Sequence, residues 1–198
     1  MENQERMMLL SKYNFTVNKK PKHIFIVNGK AGAGKTTFED LILEKVQGVR
    51  YSIVDPVKKL LINEGIWDGK DKSEPMRKLM SDIKIALDEY CDYSYNGVRN
   101  FIKDFKKDKI PGDVLFIDMR EKQDMLRATA EFGADVIYIQ NDNVSSVLTN
   151  VADEFASDSK NYAYSIVIDN SGTYEELTSI CQRFADVLIN VGGCRERA

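Results

Sequence analysis

Residues 29–36 read Gly29-Lys30-Ala31-Gly32-Ala33-Gly34-Lys35-Thr36, a complete G-x-x-x-x-G-K-[ST] spacing. Each residue type in it has a task on a polyphosphate. The glycines let the main chain curl until several N–H groups point at one anion. The lysine reaches the β- and γ-phosphates, and the threonine hydroxyl suits Mg²⁺. The expected ATP contacts are therefore Gly29, Lys30, Ala31, Gly32, Ala33, Gly34, Lys35, Thr36 and Thr37, with Thr36 on the metal. A glycine-rich turn that binds nothing is the competing explanation. It would strand Lys35 at a helix N-terminus, where the dipole disfavours a cation.

A second run, Val114-Leu115-Phe116-Ile117-Asp118-Met119-Arg120, ends an apolar strand in a carboxylate. A carboxylate delivered to that edge can hold Mg²⁺ directly or through its waters. Arg120, two residues on, offers a planar fork for phosphate oxygens. Lys35, Asp118 and Arg120 are thus the candidate catalytic groups, and Thr36 and Asp118 the candidate metal ligands. The plainer alternative has Asp118 capping the next helix and Arg120 in a surface ion pair.

These groups need elements to position them. Residues 23–28 form a short apolar run rich in β-branched side chains, and apolar residues recur at Phe38, Leu41, Ile42 and Val46 after the loop. The first pattern is a buried strand and the second one face of a helix, over about 35–47. Further strands are expected at 49–54, 114–118, 136–139 and 164–168. Asp55-Pro56 should open a helix with Asp55 as its cap. Ser73 should cap a long helix with Met76, Leu79, Met80, Ile83 and Leu87 on one side, and a further helix should cover 96–107. Another helix should run to Phe132 and stop at Gly133. Thr173-x-x-Glu176 is a capping box for the last helix, and the tail from Gly192 is expected to fray. Alternating helices and continuously apolar strands specify an α/β fold, a five-stranded parallel sheet with helices on both faces. Ligands in such sheets sit at the carboxyl ends of the strands.

Composition narrows the class. The chain has 198 residues, 43% hydrophobic and 30% charged, ordinary for a soluble globular domain. No apolar run approaches a membrane span, and the first residues lack a signal-peptide pattern. Cys91, Cys181 and Cys194 form neither a disulfide framework nor a metal pattern, which points to a reducing, cytoplasmic setting. A net charge of −3 argues against nucleic acid as a partner. Through Arg127 there are 24 basic and 20 acidic residues, and from Ala128 onward 4 and 11. A phosphorylated substrate should therefore be held mainly by the first two-thirds. His23, the single histidine, fits a structural role better than a catalytic one, since phosphoryl transfer needs no histidine base. Among the aromatic residues, Tyr90, Tyr93 and Tyr95 stand closest to an expected acceptor region.

Taken together, Ile117-Asp118-Met119-Arg120-Glu121, Gly133-Ala134-Asp135-Val136-Ile137-Tyr138-Ile139, Asp55-Pro56-Val57-Lys58 and Ile168-Asp169-Asn170-Ser171-Gly172-Thr173 resemble the phage-type deoxynucleoside monophosphate kinases. Dephospho-coenzyme A kinases share part of the pattern. The resemblance covers about residues 23–189. It implies a three-layer P-loop NTPase fold within 23–192, after an extension over 1–22 and before a tail over 193–198. A helical acceptor-binding insertion is implied at about 55–110, and a short lid at about 141–162. The implied reaction moves the γ-phosphoryl of ATP, with Mg²⁺, to a (deoxy)nucleoside monophosphate. Carried over by position, Asp55, Arg77, Arg99 and Arg120 become acceptor-binding candidates, with Lys58 weaker. A solvated helix face is the ordinary fate of such basic residues.

One departure matters. Kinases of this kind bring arginines on the lid, yet residues 128–182 contain no Arg and only Lys160 as a basic residue. Losing an arginine clamp can remove several orders of magnitude of rate. Arg127, Arg183 or Lys30 could replace it, or a second subunit of a homodimer. The alternatives are a kinase for another small molecule, such as dephospho-coenzyme A, and a nucleotide-binding regulatory protein with little turnover.

Overall fold

A computed structural model describes residues 13, 15, 17–71, 73–144 and 159–197. Residues 145–158, most of the expected lid, lie outside the described residues. The chain divides into two compact units, Met1–Arg50 with Pro111–Ala198, and Tyr51–Ile110.

The first unit carries an α/β sheet of five parallel strands. They are β1 (His23–Asn28), β2 (Gly48–Ser52), β3 (Val114–Asp118), β4 (Asp135–Gln140) and β5 (Ile166–Asp169), in the order β2-β3-β1-β4-β5. β2 runs across the boundary between the units. Its helices are α1 (Lys35–Leu43), α5 (Lys122–Phe132) and α6 (Tyr174–Val187). The three central strands, β1, β3 and β4, are buried on both faces. Phe25 and Val27 point into one core with Phe116, Ile137, Ile139 and Ile168, covered by Phe38 and Ile42 of α1 and Leu177, Ile180 and Phe184 of α6. The intervening residues face the other side, where α5 lies: the Asn28 amide donates to the Met125 sulfur at 2.8 Å. Helices thus cover both faces, as alternation of buried strands with amphipathic helices requires.

The second unit is helical: α2 (Asp55–Asn63), α3 (Glu74–Cys91) and α4 (Tyr93–Lys106). Val98, Ile102 and Phe105 of α4 are buried, and the Phe101 ring stacks on Tyr51 at 4.2 Å. No residue of α3 is buried, although its apolar stripe is clear in the sequence.

Several expectations need correction. α1 ends at Leu43, not near 47, because Val46 is drawn into an antiparallel bridge with Glu196. Asp55 is the first residue of α2 rather than its cap; its carboxylate reaches back to the Ser52 N–H at 2.8 Å. α4 begins at Tyr93, three residues early, because Asp92 takes a left-handed conformation and turns the chain directly out of α3. The tail is not frayed. Cys194 is buried, Arg195 bonds Asp113 three times, and the Arg197 N–H reaches the Lys45 carbonyl. The capping box of α6 forms as expected, with both Thr173 and Glu176 engaged.

Candidate functional site

β1 is central, paired with β3 on one side and β4 on the other. The chain leaves β1 at Asn28 and curls at once. Gly29 has φ 142°, and a Cβ there would overlap the Ile139 carbonyl of β4. Only glycine allows the loop to pass so closely over the sheet edge. Gly34, at φ 94°, is the left-handed residue that turns the loop into α1. A Cβ there would overlap the Asn170 side-chain amide. That amide donates to the Ala33 carbonyl at 2.8 Å, so the end of β5 braces the loop from behind.

The N-terminus of α1 carries no side-chain cap and no acidic residue in its first turn. Its opening N–H groups and dipole therefore favour an anion. The Lys35 ammonium donates to the Gly29 and Lys30 carbonyls, each at 2.9 Å. It is fixed against the loop rather than extended into solvent. Thr36, next along the helix, is exposed.

β3 delivers Asp118 beside this loop. Val27 and Asp118 are partners in the β1–β3 register, so the carboxylate emerges next to the strand that becomes the loop. One of its oxygens is buried. Arg120 follows, half-buried, between β3 and α5.

A further carboxyl stands here that the sequence pattern did not single out. Glu39 of α1 is fully buried, and neither carboxyl oxygen has a hydrogen-bond partner among the described residues. Burial, then the neighbouring Asp118, push its pKa up to about 8, while Arg50 and Lys35 pull the other way. The signal was available as spacing. Glu39 follows Lys35 by four and Thr36 by three, which puts all three on one helix face.

The donor set suits a hard cation. Mg²⁺ takes oxygen ligands, commonly one or two carboxylates with substrate phosphates and water. A hydroxyl at Thr36 and buried carboxyl oxygens on Asp118 and Glu39 match that chemistry. Among the described residues no cluster of three His, Cys, Asp or Glu side chains forms an all-protein metal cage.

Of the expected acceptor residues, Arg120 belongs to the first unit and Asp55, Arg77 and Arg99 to the second. Asp55 pairs with Lys58 at 2.8 Å. Arg99 lies over the Tyr95 ring at 5.1 Å and donates to Asn96 at 2.7 Å. Arg77 is exposed in the first turn of α3. Tyr95 is a core residue, whereas Tyr90 is 88% exposed. His23 is buried with its Nε2 on the Gly192 carbonyl, and burial lowers its pKa. Cys181 and Cys194 are buried, and burial pushes both thiols up to about 12, so they fill space. No helix among the described residues is long and apolar enough to cross a membrane.

No family model matches this chain, and no curated protein does. Among solved structures, it is similar to one named "putative kinase from Chloroflexus aurantiacus J-10-fl". The identity is 13% and the TM-score 0.45, over 87% of this chain and 98% of that one. At that distance, function has to be read from the chemistry of the site.

Proposed function

We propose that this chain transfers the γ-phosphoryl group of ATP, with Mg²⁺, to a (deoxy)nucleoside monophosphate, giving the diphosphate and ADP. One observation carries the reading. An uncapped helix N-terminus, a lysine ammonium held on loop carbonyls and a strand-end carboxylate meet at the carboxyl edge of a parallel sheet. That combination is built for a polyphosphate and its metal.

The loop amides and α1 would hold the β- and γ-phosphates. An ammonium already fixed beside them needs little reorganisation when charge develops, which is where most phosphoryl-transfer catalysis comes from. Thr36 and Asp118 would hold Mg²⁺. When bound, the ion supplies positive charge that offsets the charge growing on the leaving oxygen. Arg120 would orient phosphate through paired N–H donors. The acceptor assignment draws on the family resemblance, with Asp55, Arg77 and Arg99 on the helical unit as its candidates.

A panel of ribo- and deoxyribonucleoside monophosphates with Mg·ATP, scored for ADP release, tests the reaction, with Lys35→Ala as control. Turnover on at least one acceptor, lost in the variant, is the expected result. Silence on every acceptor overturns it. A second reading, a nucleotide-binding regulator with little turnover, is favoured by the absence of arginine from residues 128–182. Tight Mg·ATP binding without transfer would select it.

A further inference from the structure

Glu39 is an expensive residue where it stands. Its neighbours in sequence on α1, Phe38, Leu41 and Ile42, are buried apolar side chains, and an apolar residue would suit the position. Instead there is a carboxyl group with no exposed surface and, among the described residues, no hydrogen-bond partner on either oxygen. Burying such a group without a partner is unfavourable, whether it is neutral or charged. Groups of this kind persist where a ligand supplies the missing partner.

The surroundings indicate which ligand. Lys35 and Thr36 lie one turn before Glu39 on the same helix face. Asp118 ends β3 beside the strand that becomes the loop, with one carboxyl oxygen buried, and its charge opposes ionisation of Glu39. Either a proton or a bound cation can offset two carboxyl groups near one another out of water. The cationic side chains acting on Glu39, Lys35 and Arg50, are engaged elsewhere: Lys35 on the loop carbonyls, Arg50 on Asp40 at 2.7 Å.

We propose that Glu39 is a positioning residue for magnesium: its carboxylate would accept hydrogen bonds from the water shell of the ion that accompanies the triphosphate. The proposal rests on the polyphosphate-binding reading above. It adds to that reading a second carboxylate, on the helix rather than on a strand, that makes nucleotide affinity depend on the metal. Outer-shell groups of this kind typically change metal affinity by about 10- to 100-fold.

The test measures binding, not turnover. ATP binding is followed by calorimetry in EDTA and across a Mg²⁺ titration, for the wild-type chain, Glu39→Gln and Glu39→Leu. The expected result has three parts. All three chains bind ATP similarly in EDTA. The wild type gains affinity as Mg²⁺ rises. Both variants need at least about tenfold more Mg²⁺ for the same gain. Wild-type Mg²⁺ dependence retained in either folded variant overturns the proposal and leaves the polyphosphate site standing. Failure of the wild type to bind ATP under any condition overturns both. If Glu39→Gln does not fold, Glu39→Leu decides, because an apolar side chain suits the buried position. If neither folds, Mn·ADP binding to the wild type decides. Paramagnetic loss of the Glu39 carboxyl ¹³C signal is then expected, and an unbroadened signal sinks the idea.

Discussion

The two ends of the sheet treat their polar groups in opposite ways. At the amino end the starts of β1, β3 and β4 are tied down by protein. Asp113 accepts from the Arg195 main chain at 2.8 Å and from its guanidinium at 2.9 and 2.7 Å. His23 donates to Gly192, Lys22 to Gly112, and Lys20 pairs with Asp135 at 3.3 Å. At the carboxyl end the pattern reverses. The first turn of α1 is uncapped, Lys35 rests on carbonyls of its own loop, and Glu39 is buried with no hydrogen-bond partner among the described residues. One end spends its polar groups on stability. In the proposed reading the other holds them for a ligand, at some cost to stability, which is how binding sites usually differ from scaffolds.

The comparison is broken most directly at Lys35. Lys35→Ala should lower transfer to the best acceptor by about 10³-fold, as expected for a preorganised donor at a developing charge. It should move the melting temperature little, because the ammonium bonds carbonyls of its own loop. A large loss of stability with activity retained would show that the lysine belongs to the scaffold after all.

The mirror-image change is Asp113→Ala. It removes three hydrogen bonds from a nearly buried carboxylate, two of them from a guanidinium that is 63% exposed and therefore partly screened. A loss of about 2 kcal/mol is expected, lowering the melting temperature by about 4–8 °C. ATP affinity should stay within about twofold of wild type. Thermal unfolding and calorimetry on the same sample separate the two outcomes.

Acid should weaken the amino end first. Burial lowers the folded-state pKa of His23 below its ordinary 6.5, and the Arg195 side chain lowers that of Asp113 below 3.8. In both cases the unfolded chain binds more protons than the folded one as pH falls, so stability is lost on acidification. The His23 contribution starts to go below about pH 6.5 and the Asp113 contribution below about 3.8. Glu39, pushed up to about 8, acts in the opposite sense over the same range in every variant that keeps it, so the difference between chains is the measure. Between pH 8 and pH 5 the urea midpoint of the wild type should fall relative to that of His23→Gln, which keeps a donor but cannot titrate. An equal slope in both would remove His23 from the account.

What was legible in the sequence follows the range of the interaction. The phosphate loop, Asp118 at a strand end, Gly133 as a helix stop and the Thr173–Glu176 box are each encoded within a few residues, and each sits where local pattern puts it. The Asp113–Arg195 clasp joins positions 82 apart, and no local signal announces it. Local pattern therefore predicts a frayed tail and a longer α1, since the bridge from Val46 to Glu196 is more remote still. Glu39 failed for a different reason. A glutamate in a helix is by default exposed. Only its phase relative to Lys35 and Thr36 could have marked it.

Asn170 offers the finest test of how the ligand end is braced. Its amide does two things: it bonds the Ala33 carbonyl at 2.8 Å, and it occupies the space a Cβ on Gly34 would need. Asn170→Ala should weaken ATP binding by about threefold to tenfold, the worth of one partly buried hydrogen bond. Gly34→Ala meets two obstacles, the overlap with Asn170 and the left-handed backbone at φ 94°. Asn170→Ala relieves the overlap and leaves the backbone strain untouched. The double variant should therefore bind ATP better than the two single losses added together, with a coupling of about 0.5–1.5 kcal/mol. Strict additivity would mean that β5 does not brace the loop. The difference between the two ends would then rest on α1, Lys35 and the carboxyl groups alone.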